Sequence, residues 1–84
     1  KGLFATGAIA HNELIAPARL DGQCTPAGRY INHSKTPNAE LVMDAHGDLY
    51  LFATRNVEGY KGGTLGEEVT IDYRQALSLL LRSN

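Results

Sequence analysis

Several common functional cues are missing from this chain. It has one cysteine, Cys24, so an intrachain disulfide is excluded, and so are the multi-cysteine zinc sites. Its three histidines, His11, His33 and His46, do not share a helical or loop spacing that would hold a metal, and no metal is expected. A lone cysteine fits a reducing, intracellular setting, cytoplasmic or, in a eukaryote, nuclear. Cys24 itself is expected to be a small, buried or half-buried residue. No apolar run approaches the ~20 residues that span a bilayer, and no secretory leader opens the chain, so no membrane partner is expected. Basic charge is not in excess: eight Lys and Arg stand against nine Asp and Glu, and the net charge is −1. Nucleic-acid binders usually carry a basic stripe, so direct contact with nucleic acid is not expected.

The composition that remains is globular, with 43% hydrophobic and 20% charged residues. A chain of 84 residues has room for one domain, residues 1–84. Because it starts at Lys1 rather than methionine, it reads as an excised domain, a processed chain or an incomplete sequence.

Short strand-like pieces dominate. Leu3 to Thr6 and Glu13 to Ile15 flank a turn at His11-Asn12. Pro17 to Gly28 holds two prolines and two glycines and reads as loop. Glu40 to Asp44 and Asp48 to Ala53 flank Ala45-His46-Gly47, the best hairpin candidate, with glycine free to take positive φ. Gly59 to Gly63 reads as a flexible loop. Val69 to Tyr73 alternates and carries β-branched residues, which predicts a strand ending at Tyr73. Gln75 to Arg82 predicts a helix of about two turns with Leu77, Leu80 and Leu81 on one face. So short a helix needs a docking partner, either the sheet or a second copy, so a homodimer through this helix is one expectation.

Taken alone, the candidate site residues have ordinary uses. Tyr73 is a neutral donor and acceptor at pH 7 and suits a strand end. Asn32-His33-Ser34 before Pro37-Asn38 suits a turn. His33 and Ser34 are adjacent in sequence, without a nucleophile elbow, and do not make a hydrolase pair. Glu67 and Glu68 read as structural pairing rather than catalysis.

Taken together, these segments resemble a known family. Arg29-Tyr30-Ile31-Asn32-His33-Ser34-Lys35-Thr36-Pro37-Asn38 and Gly66-Glu67-Glu68-Val69-Thr70-Ile71-Asp72-Tyr73 resemble the two signature motifs of SET-domain protein-lysine methyltransferases. Lys1-Gly2-Leu3-Phe4-Ala5-Thr6 resembles that family's opening block, and Ala53-Thr54-Arg55-Asn56-Val57 the stretch before its last motif. The resemblance implies a mainly β fold, a β-clip of short twisted sheets in which the two motif segments interlace as a pseudoknot, with a short C-terminal helix. It implies S-adenosylmethionine as cofactor, with Gly2, Leu3, Tyr30, Asn32 and His33 on the cofactor side and Tyr73 as the catalytic tyrosine of a lysine channel. The partner implied is a lysine-containing protein or peptide. The insert that usually carries substrate recognition is nearly deleted between Ile15 and Arg29, and no aromatic residue follows Tyr73. A catalytically inactive module that binds cofactor or a partner protein is therefore the alternative.

Overall fold

A computed structural model describes residues 2–82, so Lys1 of the opening block lies outside the described residues. In chain order come β1 (Leu3–Phe4), β2 (Leu14–Leu20), β3 (Gln23–Cys24), α1 (Pro26–Tyr30), β4 (Asn32–His33), β5 (Ala39–Met43), β6 (Leu49–Ala53), β7 (Glu68–Ile71) and α2 (Tyr73–Arg82). They form a three-stranded sheet, β1-β7-β4, and a four-stranded sheet, β3-β2-β6-β5. This is the mainly β arrangement with a short C-terminal helix that the sequence implies.

The β5–β6 hairpin is where it was expected. Its ladder runs from Ala39 opposite Ala53 to Met43 opposite Leu49. Gly47 takes φ +85°, and the Asp44 carboxylate accepts the backbone N–H groups of His46 (2.9 Å) and Asp48 (3.0 Å). Alternation then does its usual work: Leu49, Leu51 and Ala53 point inward and join Ala39 and Leu41 in the buried core.

The segment from Pro17 to Gly28 corrects the loop reading. β2 continues through Pro17 to Leu20, β3 pairs back on it, and α1 begins at Pro26. Proline can enter a strand where its missing N–H breaks no ladder bond, and the β2–β6 register shifts between Pro17 and Arg19. Asp21 and Gly22 have φ of 51° and 79° and form a two-residue turn between Leu20 and Gln23. Asp-Gly is a strong hairpin signal, which the loop reading of Pro17 to Gly28 did not use. Thr25 caps α1 by accepting the Gly28 N–H (3.2 Å), and its hydroxyl donates to the Pro17 carbonyl (2.6 Å). Pro26 sits where helices tolerate proline best. Cys24 is exposed rather than buried, because β3 is a two-residue strand at the edge of its sheet.

The last elements also differ from expectation. β7 stops at Ile71, and Tyr73 opens α2 instead of ending a strand. Asp72 makes the break: its carboxylate accepts the Arg74 N–H (2.9 Å), while its carbonyl accepts those of Gln75 (3.0 Å) and Ala76 (3.2 Å). The helix docks through Ala76 and Leu79, which pack on the main core, and not through Leu77 or Leu81 of the predicted face. Leu77 and Leu81 are 56% and 66% exposed, and the side chain of Leu80 lies outside the described residues. Gln75 explains the choice of face, since its amide donates to the Leu41 carbonyl (3.0 Å) and accepts the Leu41 N–H (3.3 Å). That pair covers the open edge of β5 and orients the helix.

The glycine-rich loop before β7 is tied down. Lys61 and Thr64 exchange two backbone hydrogen bonds of 3.0 Å. Gly59 lies against the backbone of Gly7, and Gly66 against the carbonyl of Ala5, so a side chain at either place would collide with main chain.

β7 holds the fold together. β1 flanks it antiparallel, with Leu3 opposite Val69, and β4 flanks it parallel, with Asn32 opposite Thr70 and His33 opposite Ile71. The chain leaving β4 returns through Asn38, which is 2% exposed. The Asn38 amide donates to the Glu68 carbonyl (2.9 Å), and its oxygen accepts the Thr70 N–H (2.8 Å). Asn38→Ala leaves both backbone groups unpaired in a buried place. Urea denaturation should show a loss of about 2–4 kcal/mol, enough to threaten a domain this small.

Candidate functional site

The parallel pairing of β4 with β7 puts His33 and Tyr73 together. The Tyr73 backbone N–H donates to His33 Nδ1 (3.0 Å), and the two rings lie 5.1 Å apart at 51°. This N–H belongs to the first turn of α2, where helices leave donors without internal partners. Since Nδ1 accepts, the proton of the neutral imidazole sits on Nε2. Asp72 lies 4.0 Å from the same nitrogen but offers only another acceptor, so the Tyr73 bond is the one that orients the ring. The Tyr73 hydroxyl donates to the Ile31 carbonyl (3.0 Å). Both ends of the tyrosine are thus fixed by the segment just before and within β4.

A second cluster lies at the start of the same sheet. Asn32 Nδ2 donates to the Glu68 carboxylate (2.6 Å). Gly2 lies against this pair, and a Cβ placed there would fall on the carboxylate oxygen. A side chain there would push the Glu68 carboxylate aside.

Glu67 has a different role from its neighbour. It accepts from the Arg55 guanidinium (2.8 Å) and from the Glu58 backbone N–H (2.7 Å). The Arg55 hydrogen bond, then the Glu58 backbone bond, hold its carboxyl below the usual carboxylate range, against a smaller opposing effect of desolvation. It fastens the loop that leads into β7, as the structural-pairing reading anticipated.

Two depressions meet at Tyr73. One, the polar hollow, takes its polar and charged groups from the side-chain ends of His33, Lys35, Tyr73 and Arg74, over a largely apolar surface. The other, about 270 Å³, enters the main core: Ile31, Leu41, Leu49, Ile71 and Ala76 wall it beside Tyr73, with Arg19, Cys24 and Arg29 at its border.

The structure therefore brings Gly2 to Asn32, and His33 to Tyr73. Leu3 turns its side chain onto the main core and lines a separate hollow with Ile9 and Ile15. Tyr30 ends α1, is 42% exposed and lines neither depression beside Tyr73. Sequence reasoning missed Lys35, Arg74 and the Ile31 carbonyl. Lys35 and Arg74 are beside the motif residues in sequence, but their side chains could be assigned to a hollow only once α2 was seen to begin at Tyr73.

The SET-domain family model matches residues 16–74, which takes in both motif segments and ends just past Tyr73. The chain belongs to the SET-domain family. Among solved structures, a Plasmodium falciparum putative histone methyltransferase matches with TM-score 0.61 and 20% identity, covering 86% of this chain and 86% of that one. At that identity the likeness speaks for the SET fold alone. No curated protein matches this chain.

In this SET domain the Glu67–Arg55 pair sets a pH dependence whose sign is fixed. A carboxyl held low in the folded state contributes stability above its unfolded pKa, and that contribution is lost as pH falls through the folded value. Wild-type stability should therefore fall below the ordinary glutamate value of 4.5. Urea midpoints for Glu67→Gln should be lower than wild type at pH 7 and converge with it in acid.

Proposed function

We propose that this SET domain transfers a methyl group from S-adenosylmethionine to the side-chain amine of a lysine in a protein substrate. One observation carries the reading: Tyr73 borders both a polar hollow and an apolar pocket, so a cofactor on one side and an amine on the other would meet at its hydroxyl.

The residues present fit the cofactor. The Glu68 carboxylate, steadied by Asn32 beside Gly2, suits an ammonium group. The His33 ring, in the hollow beside Tyr73, offers a face for a base. When bound, S-adenosylmethionine supplies an electrophilic methyl group on a positively charged sulfur.

The rest is done by this chain. A lysine amine has a reference pKa near 10.4 and is protonated at pH 7. The walls formed by Ile31, Leu41, Leu49, Ile71 and Ala76 penalise the charged form and favour the neutral nucleophile. The Tyr73 hydroxyl gives its hydrogen to the Ile31 carbonyl, so its lone pairs are available to an amine N–H. Accepting that N–H leaves the nitrogen lone pair directed at the polar side. Catalysis here is mainly alignment.

The test combines calorimetry with labelled cofactor and a mixture of lysine peptides. Wild type should bind S-adenosylmethionine and methylate lysine. Tyr73→Phe should keep cofactor affinity within about threefold while turnover falls by about 10²-fold. Asn32→Ala should instead weaken cofactor binding. Binding without turnover on any lysine substrate would favour the inactive module, and absence of binding would end both readings.

A further inference from the structure

We infer that Arg19 and Arg29 make the pocket beside Tyr73 select a lysine flanked by carboxylates, so that the substrate presents an acidic segment. The inference rests on the lysine-acceptor reading of that pocket.

Arg19 lies on β2 opposite Cys24, and Arg29 in the last turn of α1. Both border the pocket whose walls are otherwise mostly aliphatic. Among the described residues neither guanidinium has a carboxylate partner: the ion pairs join Arg55 to Glu67, Arg74 to Asp72, and His33 to Asp72. β2, β3 and α1 between them supply Ala18, Arg19, Cys24, Gly28 and Arg29 to the pocket lining.

Guanidinium groups stay charged at every working pH. Two of them beside an apolar wall oppose entry of a lysine ammonium, which helps a neutral amine but weakens binding of any lysine-bearing chain. A further arginine or lysine on that chain would add to the repulsion. An aspartate or glutamate near the target lysine reverses it, since a planar guanidinium receives a carboxylate through two parallel hydrogen bonds. Selection thus comes both from attraction of acidic flanks and from rejection of basic ones.

The test uses fluorescent lysine peptides of one length with glutamate, glutamine or arginine flanks. Binding is read by anisotropy in the presence of S-adenosylmethionine, and methylation by mass spectrometry. Glutamate flanks should bind about 10-fold tighter than glutamine flanks, with arginine flanks weakest, and the difference should shrink as salt is raised. Arg19→Gln with Arg29→Gln should bring the three peptides within about threefold of one another, and the lysine replacements should retain part of the preference. Should the double variant fail to fold, Arg29→Glu alone serves, because this exposed position should shift preference toward the arginine-flanked peptide. Equal binding of all three peptides by wild type, or an acidic preference that survives the double variant, overturns the inference. Arginine-dependent binding without methylation upholds the charge selection and removes the methyl-transfer reading. Methylation without flank preference does the reverse.

Discussion

The grip of residues 31–38 on β7 is the constraint on which the rest of the structure depends. β7 has four residues, too few to persist without neighbours, and it meets β1 antiparallel and β4 parallel. Parallel neighbours cannot be joined by a tight turn, and here the connection is the β5–β6 hairpin plus the tied glycine loop. The β4–β7 ladder therefore joins segments separated by everything between Asn38 and Gly66. Asn38 completes the grip by doing with a side chain what a further strand would do with backbone. It is buried and fully used, and a polar residue survives in such a place only on those terms.

Much of this was legible in the chain. The β5–β6 hairpin follows from alternation around a glycine turn. The Asn32-His33 and Glu68–Tyr73 segments were correctly matched to each other, because their residue types and order are specific. What escaped was chemistry decided by partners distant in sequence. Pro17 argues for loop in any local reading; it sits in a strand because the ladder shifts beside it. Tyr73 continues an alternating pattern, yet Asp72 turns the chain into a helix before the pattern ends. The leucines of α2 suggested a docking face, but Gln75 reaches the edge of β5 and turns Ala76 and Leu79 inward instead. Cys24 has a residue type usually buried and a position that exposes it.

The electrostatic design divides labour among neighbouring acids. Glu67 and Glu68 are adjacent, one just before β7 and the other its first residue, and they do different work. Glu67 faces Arg55 and fastens the entry to β7, where it adds stability and touches neither depression beside Tyr73. Glu68 faces Asn32 and Gly2, where the missing side chain at Gly2 lets the carboxylate approach the backbone. A pair of acids in a motif invites a catalytic reading; here the first is accounted for by structure, and the second is left as the charged member of the candidate cofactor site.

Placing Tyr73 at the start of α2 matters more than it first suggests. A tyrosine at the end of a strand would have its backbone N–H directed by the ladder and its ring by sheet packing. At the first helical position the N–H has no partner within the helix, and His33 accepts it. The hydroxyl, at the other end of the side chain, reaches the Ile31 carbonyl. Backbone and hydroxyl of Tyr73 are thus both held by residues of one short segment, and that segment is itself held in register by β7. Half-exposed aromatic rings usually have freedom to rotate away, but this one cannot leave without breaking its hydroxyl bond to Ile31. Its place between the two depressions consequently depends both on the Ile31–His33 segment, which bonds its hydroxyl and backbone, and on α2, which carries it.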